Sequence, residues 1–309
     1  MLGCHREIAG WKKTLPWTVA LAGNPNVGKS SVFNWLTGMG VVVANYPGKT
    51  VEVQLATTRF KDEEIGVMDL PGTYAVGSAS EDQWVARRAL FDAGPDVVVV
   101  VVDATRLERN LYLPLQLLDL GFRVVIALNL VDEAWRQGLR IDSLGLARLL
   151  GVPVVPTVAV RGQGLDRLVE VALREARARG VPPVTPRYGR DVEEAIGTLA
   201  DRLAKEGVAL PWHLSPRAVA VLLLEEDEET VAWAQSLPEA AAILAHAREA
   251  AARIAEGHDE PAPIRIARER HGLAGELAAK VKTQVHAPSR RQDRFWRLTT
   301  APATGFPLL

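Results

Sequence analysis

Cysteine is nearly missing from this chain: Cys4 is the one cysteine in 309 residues. An intrachain disulfide is therefore excluded, and a reducing compartment is expected. A surplus of either charge is missing too. Lys and Arg number 36, Asp and Glu 37, and the formal net charge is −1. That balance argues against a nucleic-acid-binding surface. No apolar run approaches the roughly 20 residues of a membrane helix. The longest, Val97 to Val102, ends at Asp103 and reads as a central parallel strand. Met1 to Thr14 is mixed and charged, without the apolar core of a secretory signal. The sequence has no Cys/His cluster of metal-binding spacing and no internal repeat.

What is present is a phosphate loop. Gly23-Asn24-Pro25-Asn26-Val27-Gly28-Lys29-Ser30 has the G-x-x-x-x-G-K-S spacing. The apolar Thr18-Val19-Ala20-Leu21-Ala22 before it reads as a buried strand, and Ser31 to Leu36 after it as a helix stopped by Gly38. Strand, loop and helix start together make an anion site. Backbone N–H groups turn inward and the helix N-terminus adds partial positive charge. Lys29 is expected on the β- and γ-phosphates, and the Ser30 hydroxyl on Mg²⁺.

Further motifs follow in the order of a GTPase. Asp69-Leu70-Pro71-Gly72 ends a strand-like run, Ile65 to Met68. An Asp there holds Mg²⁺ through water, and Gly72 lets a backbone N–H approach the γ-phosphate. Thr50, in the loop Asn45-Tyr46-Pro47-Gly48-Lys49-Thr50, is placed to close onto Mg²⁺ and let go after hydrolysis. Asn129-Leu130-Val131-Asp132 follows the buried run Val124 to Leu128. The Asp132 carboxylate is expected to accept from guanine N1–H and the 2-amino group. Adenine lacks that pattern, and sites built this way discriminate by roughly 10⁴ or more. Leu130 stands where Lys is usual, so guanine affinity is expected to be modest. Val158-Ala159 lies where a backbone N–H meets guanine O6. Thr73 follows Gly72 where many GTPases carry a water-orienting Gln, and turnover on the order of 10⁻³ s⁻¹ is expected. Asn26 has two readings: a ligand for a monovalent cation beside the β/γ bridge, or a residue that only shapes the loop.

The motifs resemble one family, ferrous iron transport protein B (FeoB). The resemblance rests on the phosphate loop, on Asn45 to Glu52 (Asn-Tyr-Pro-Gly-Lys-Thr-Val-Glu), on Asp69 to Tyr74, and most specifically on Asp103-Ala104-Thr105-Arg106-Leu107-Glu108-Arg109-Asn110-Leu111-Tyr112-Leu113. It is strong from Trp17 to Ala176 and looser beyond. It implies a bacterial inner-membrane Fe²⁺ uptake protein whose cytosolic N-terminal part is a G domain plus a helical domain. It also implies slow GTP hydrolysis, stimulation by K⁺ in some members through the residue matching Asn26, and a helical domain that raises GDP affinity. Leu130 fits the family, in which an apolar residue is frequent there; Lys49 departs from it. Motifs and resemblance give a candidate site. Asn26, Lys29, Thr50 and Gly72 are the catalytic candidates. Gly23, Asn24, Asn26, Val27, Gly28, Lys29, Ser30, Ser31, Asn129, Asp132, Val158 and Ala159 hold nucleotide, and Ser30, Thr50 and Asp69 serve Mg²⁺, with K⁺ as a second cation.

The pattern of apolar strands and amphipathic helices predicts an α/β fold: a mostly parallel sheet with helices on both faces, followed by a small all-α domain. The expected divisions are 1–180 for the G domain, 187–286 for the helical domain and 287–309 for a basic tail. Expected helices in the second part are Asp191 to Lys205, Ser215 to Glu225, Glu228 to Gln235, Pro238 to Glu256 and Ala262 to Val285, with Leu222, Leu223 and Leu224 in its core. Glu225-Glu226-Asp227-Glu228-Glu229 reads as a solvated helix junction rather than a cation site. Toward the end of the chain, Lys280, Lys282, Arg290, Arg291, Arg294 and Arg297 surround Phe295 and Trp296, the composition of an ordinary basic tail or of a segment that precedes a membrane helix on its cytoplasmic side. A piece of a longer membrane protein is expected, with GTP or GDP and the transmembrane part of the same chain as partners and no nucleic acid. Self-association is left open. Two rivals remain: an RNA-binding ribosome-assembly GTPase, and a regulatory module with negligible turnover, which Thr73 permits.

Overall fold

The structure, a computed structural model, describes residues 15–38, 41–45 (backbone only), 51–77, 79–178 and 184–285. Thr50, Lys49 and the basic tail 287–309 lie outside the described residues.

The first half is a seven-stranded sheet. Its strands are β1 (Trp17–Gly23), β2 (Val41–Asn45), β3 (Glu52–Phe60), β4 (Glu63–Asp69), β5 (Val97–Asp103), β6 (Val124–Asn129) and β8 (Val154–Pro156), in the spatial order β2-β3-β4-β1-β5-β6-β8. From β4 to β8 all pairings are parallel. β2 and β3 add an antiparallel edge that the sequence reading passed over. The central strands are apolar on both faces because both are covered. In β1, Ala20 and Ala22 face one layer while Val19 and Leu21 face the other. The Val19 side packs on α1 (Lys29–Thr37) and α6 (Leu165–Arg177) through Val32, Phe33, Leu168 and Ala172. The Ala20 side packs on α2 (Glu81–Ala93) and α3 (Leu107–Asp119) through Leu90, Leu111 and Leu115. Two short helices, α4 (Val131–Arg136) and α5 (Ser143–Leu150), follow β6 and β7 (Leu139–Ile141).

The second half is helical: α7 (Arg190–Glu206), α8 (Pro216–Leu224), α9 (Glu228–Gln235), α10 (Ala240–His258) and α11 (Ala262–Val281). Leu222, Leu223 and Leu224 are buried as expected. The α8 N-terminus is set by Ser215, which accepts the Ala218 N–H, with Pro216 at the first turn. α11 stops four residues before the expected Val285. There the chain becomes β9 (Lys282–Gln284), which pairs antiparallel with β7 of the first half. The backbone partners across this ladder outweigh the local helical pattern.

The acidic run 225–229 corrects its expectation. It joins α8 to α9 with Glu226 and Glu228 exposed, but its other acids are not solvated: Glu225 pairs with Arg270 at 2.8 Å, Asp227 with Arg87 at 2.7 Å and Glu229 with Arg88 at 3.3 Å. Arg87 and Arg88 belong to α2, so the run forms a seam between the halves. A second seam lies where α11 crosses α3. Arg270, fully buried, donates to Asp119 Oδ2 at 2.9 Å, to Tyr188 at 3.0 Å and to Tyr112 at 3.1 Å. Tyr188 in turn donates to Asp119. Burial pushes the Asp119 carboxyl up, and Arg270 only partly offsets it.

Candidate functional site

The phosphate loop leaves the carboxyl end of β1, where sheets of this kind bind ligands. Asn26 and Gly28 both have left-handed backbones, φ 66° and 90°, which turns successive N–H groups into the concavity. Only glycine fits at position 28, since an added Cβ would lie 2.4 Å from Asn129 Nδ2. Gly28 is also the N-cap of α1, and its carbonyl accepts from Ser31 and Val32 N–H. The first N–H groups of α1, around Lys29 and Ser30, have no intrahelical acceptor and are available to an anion.

Lys29 and Asp69 meet in this concavity. Lys29 Nζ donates to Asp69 Oδ1 at 2.5 Å, with both side chains almost buried. Burial pushes the Asp69 carboxyl up, and the lysine pulls it back by less. The Asp69 carboxyl and the hydroxyl of Ser30, which follows Lys29 in the first turn of α1, are hard-oxygen donors of the kind Mg²⁺ prefers. The residues present therefore fit that ion.

Gly72 lies against the phosphate loop. A Cβ at this position would stand 3.3 Å from Pro25 Cα. The next residue, Thr73, donates its N–H to Gly23 O at 3.0 Å and its hydroxyl to Ala75 O at 2.7 Å. The Thr73 hydroxyl is thus turned back into its own loop. Asn24 is buried, and its amide nitrogen has no hydrogen-bond partner among the described residues. Asn26 and Ser30 are exposed, Ser31 is half-buried and Val27 is buried in the core under α1.

At the base end, Asn129 does something other than face a ligand. Its Nδ2 donates to Val27 O at 2.8 Å, and its Oδ1 accepts from Ala159 N–H at 3.0 Å and Thr157 Oγ1 at 3.2 Å. The amide ties the phosphate loop to the loop after β8. The Ala159 N–H expected to meet guanine O6 is therefore already donated to Asn129, and Val158 N–H goes to Gln163 O. Asp132 lies in the first turn of α4, two residues after Leu130, whose φ of 60° is left-handed. Its carboxylate pairs with Arg136, and Arg161 approaches at 3.8 Å. The sequence reading missed Thr157, Arg136 and Arg161. The i,i+4 spacing of Asp132 and Arg136 was a usable signal, whereas Thr157 and Arg161 reach the site only through the fold.

Nucleotide loop, Asp69 and the Asn129–Asp132 pair, at the carboxyl ends of β1, β4 and β6, define the G domain of a P-loop GTPase. The ferrous iron transport protein B family model matches residues 17–172, and the FeoB cytosolic helical domain model matches 188–283. The chain belongs to the FeoB family. It is 38% identical over 297 residues to a Porphyromonas gingivalis Fe(2+) transport protein A/Fe(2+) transporter FeoB fusion protein, covering 94% of this chain and 35% of that one. It is 38% identical over 281 residues to the Fe(2+) transporter FeoB of Salmonella choleraesuis, covering 88% and 34%. The chain thus spans about a third of the length of these relatives. The GDP-bound FeoB G-domain of S. thermophilus, a point mutant, superposes with a TM-score of 0.78 at 33% identity, over 86% of this chain and 100% of that one. The apo cytosolic domain of T. maritima FeoB superposes at 0.72, also at 33% identity, over 86% and 99%.

Proposed function

We propose that this chain is the cytosolic, GTP-hydrolysing part of a bacterial Fe²⁺ uptake protein, acting as a nucleotide switch at the cytoplasmic face of the inner membrane. The observation that carries the reading is the arrangement of Lys29, Asp69, Gly72 and Asp132 at the carboxyl edge of one sheet. On binding, Lys29 leaves Asp69 for the phosphates, and the N–H groups at the start of α1 neutralise the α- and β-phosphates. Ser30 and Asp69, with Thr50 of the first switch loop, would hold Mg²⁺, which would compensate phosphate charge. Asp132 reads the guanine edge, displacing the arginines that face it. The Gly72 N–H meets the γ-phosphate.

The buried, inward-turned hydroxyl of Thr73 supports slow unassisted hydrolysis. Asn26, exposed on the loop, is the candidate holder of K⁺, whose charge would stand in for an arginine finger. Expected partners are GTP, GDP and the membrane part of the same longer chain. The rival reading, an RNA-binding ribosome-assembly GTPase, fits less well, because the second half matches a helical domain of the iron transporter family.

The test is turnover of GTP and ATP by the purified chain in K⁺ and in Na⁺, with and without Asn26→Ala. Slow GTP-selective turnover, raised by K⁺ only when Asn26 is present, is expected. Turnover indifferent to the cation removes Asn26 from the mechanism. Equal use of ATP overturns the role of Asp132.

A further inference from the structure

The segment Asp103 to Leu113 carries part of the sequence resemblance, and nothing in the candidate nucleotide site uses it. It forms the end of β5 and the first half of α3. One face of α3 meets the loop that follows Gly72. Val76 donates its N–H to Gln116 Oε1 at 2.7 Å, and Gln116 Nε2 donates back to Val76 O at 2.8 Å. Both groups are buried and lie 40 residues apart in sequence. One turn-pair earlier on the same face, the Arg109 guanidinium sits 4.5 Å from the ring centroid of Tyr74. At its other end the loop is tied to the phosphate loop by the Thr73–Gly23 hydrogen bond. Gly72, just before the first of these fastenings, is packed on Pro25.

A side-chain amide that satisfies both the N–H and the C=O of one loop residue fixes the position and the orientation of that peptide. We infer that Gln116, assisted by Arg109, is a positioning residue for hydrolysis: it holds residues 72–76 so that the Gly72 N–H and the attacking water meet the γ-phosphate. This rests on the GTPase reading above. GDP has no γ-phosphate, so the fastening acts on the triphosphate state and not on nucleotide binding in general.

The experiment compares the 309-residue chain with Gln116→Leu, Gln116→Glu and Arg109→Met. Single-turnover GTP hydrolysis is measured beside the affinities for GDP and for a non-hydrolysable GTP analogue. Displacing a reacting geometry by about 1 Å costs up to roughly 100-fold, so Gln116→Leu is expected to slow hydrolysis about 10- to 100-fold. Its GDP affinity stays within about twofold while the analogue loses affinity relative to GDP. Gln116→Glu keeps the acceptor for Val76 N–H and loses the donor, so its rate falls between those of wild type and Gln116→Leu. Arg109→Met, on an exposed side chain, slows hydrolysis in the same sense by a smaller factor. If Gln116→Leu does not melt cooperatively, Arg109→Met carries the test. Unchanged hydrolysis in the folded variants overturns the inference, and so does an equal loss of GDP and analogue affinity, which marks a merely structural amide. If the unaltered chain hydrolyses no GTP, the GTPase reading fails, and the analogue-to-GDP preference still decides the role of Gln116.

Discussion

At the scale of single residues, the chemistry of a phosphate site dictates side-chain types so closely that Gly28, Lys29, Ser30, Asp69 and Asp132 stand out in sequence as candidates for one site. A Cβ cannot fit at 28, and no neutral residue replaces a lysine facing a polyphosphate. Asn129 was legible as a candidate for the site but not as a tie between loops, because its partners come from Val27 and Ala159, far away in the chain. That role yields a prediction. Replacing Asn129 by Ala leaves a buried carbonyl, a buried N–H and a hydroxyl without their partner. At about 1 kcal/mol per lost hydrogen bond, the cost is about 3 kcal/mol of stability. GDP affinity falls as well, since the phosphate loop and base loop lose their tie. Chemical denaturation and GDP titration of the variant check both, and a variant with unchanged stability would show that the tie is idle. Asp132→Ala has a different signature. It removes a charged acceptor from the base, expected to cost about 1.5–3 kcal/mol of GTP affinity with no loss of ATP affinity and little loss of stability. Calorimetric titration with each nucleotide separates the two outcomes.

At the scale of elements, helix ends were legible where a side chain caps them. The Asp227 carboxylate accepts from Thr230 N–H and hydroxyl, and α9 starts at Glu228 as the spacing predicts. Ends set by distant backbone were not legible. α11 carries helical composition to Val285 but yields to the β7 ladder at Lys282. The seams between the halves escaped the sequence reading for the same reason, since a run of acids says nothing about which arginines will face it. These seams contain charge that is expensive to leave unpaired. Removing Arg270 strands Asp119 in a fully buried position, and Arg270→Met is expected to cost about 3–5 kcal/mol. Around Arg217 the consequence is a pH dependence. Burial pushes the Glu193 carboxyl up, but hydrogen bonds from Arg217 and the Tyr188 N–H, with the charges of Arg217 and Arg187, outweigh it and hold the carboxyl below the ordinary 4.5. A lowered folded pKa contributes stability that is present above the unfolded value and lost as pH falls through the folded one. Arg217→Met is expected to flatten the acid side of the Tm-against-pH curve below about pH 5. An unaltered acid limb would place the loss at other carboxyls.

At the scale of the molecule, the two halves share one continuous apolar core, running from Val98 and Leu111 through Leu199 and Leu223 to Ile266. Units that share a core melt together. GDP at 100 times its Kd adds about 2.7 kcal/mol to whatever unfolds with the nucleotide site. One calorimetric transition, shifted upward as a whole by GDP, is therefore expected, and a helical half that melts separately and ignores GDP contradicts it. A finer link concerns the strand by which the chain leaves the helical half. α4 carries Asp132, the proposed base reader, in its first turn and ends at Arg136; two residues on, the Gly138 carbonyl accepts the Val285 N–H at 2.8 Å, and Asp142 N–H donates to Val281 O at 2.9 Å. About ten residues of backbone thus join Asp132 to both ends of β9. Anything that steadies α4 steadies this ladder, because an antiparallel pair exchanges its amide protons only when one strand lifts off the other. Hydrogen exchange in the presence of GDP is accordingly expected to slow at Val285 and Asp142 together with the phosphate loop. Slowing at the phosphate loop alone would mean that base recognition stops at α4 and does not reach the strand leading out of the helical half.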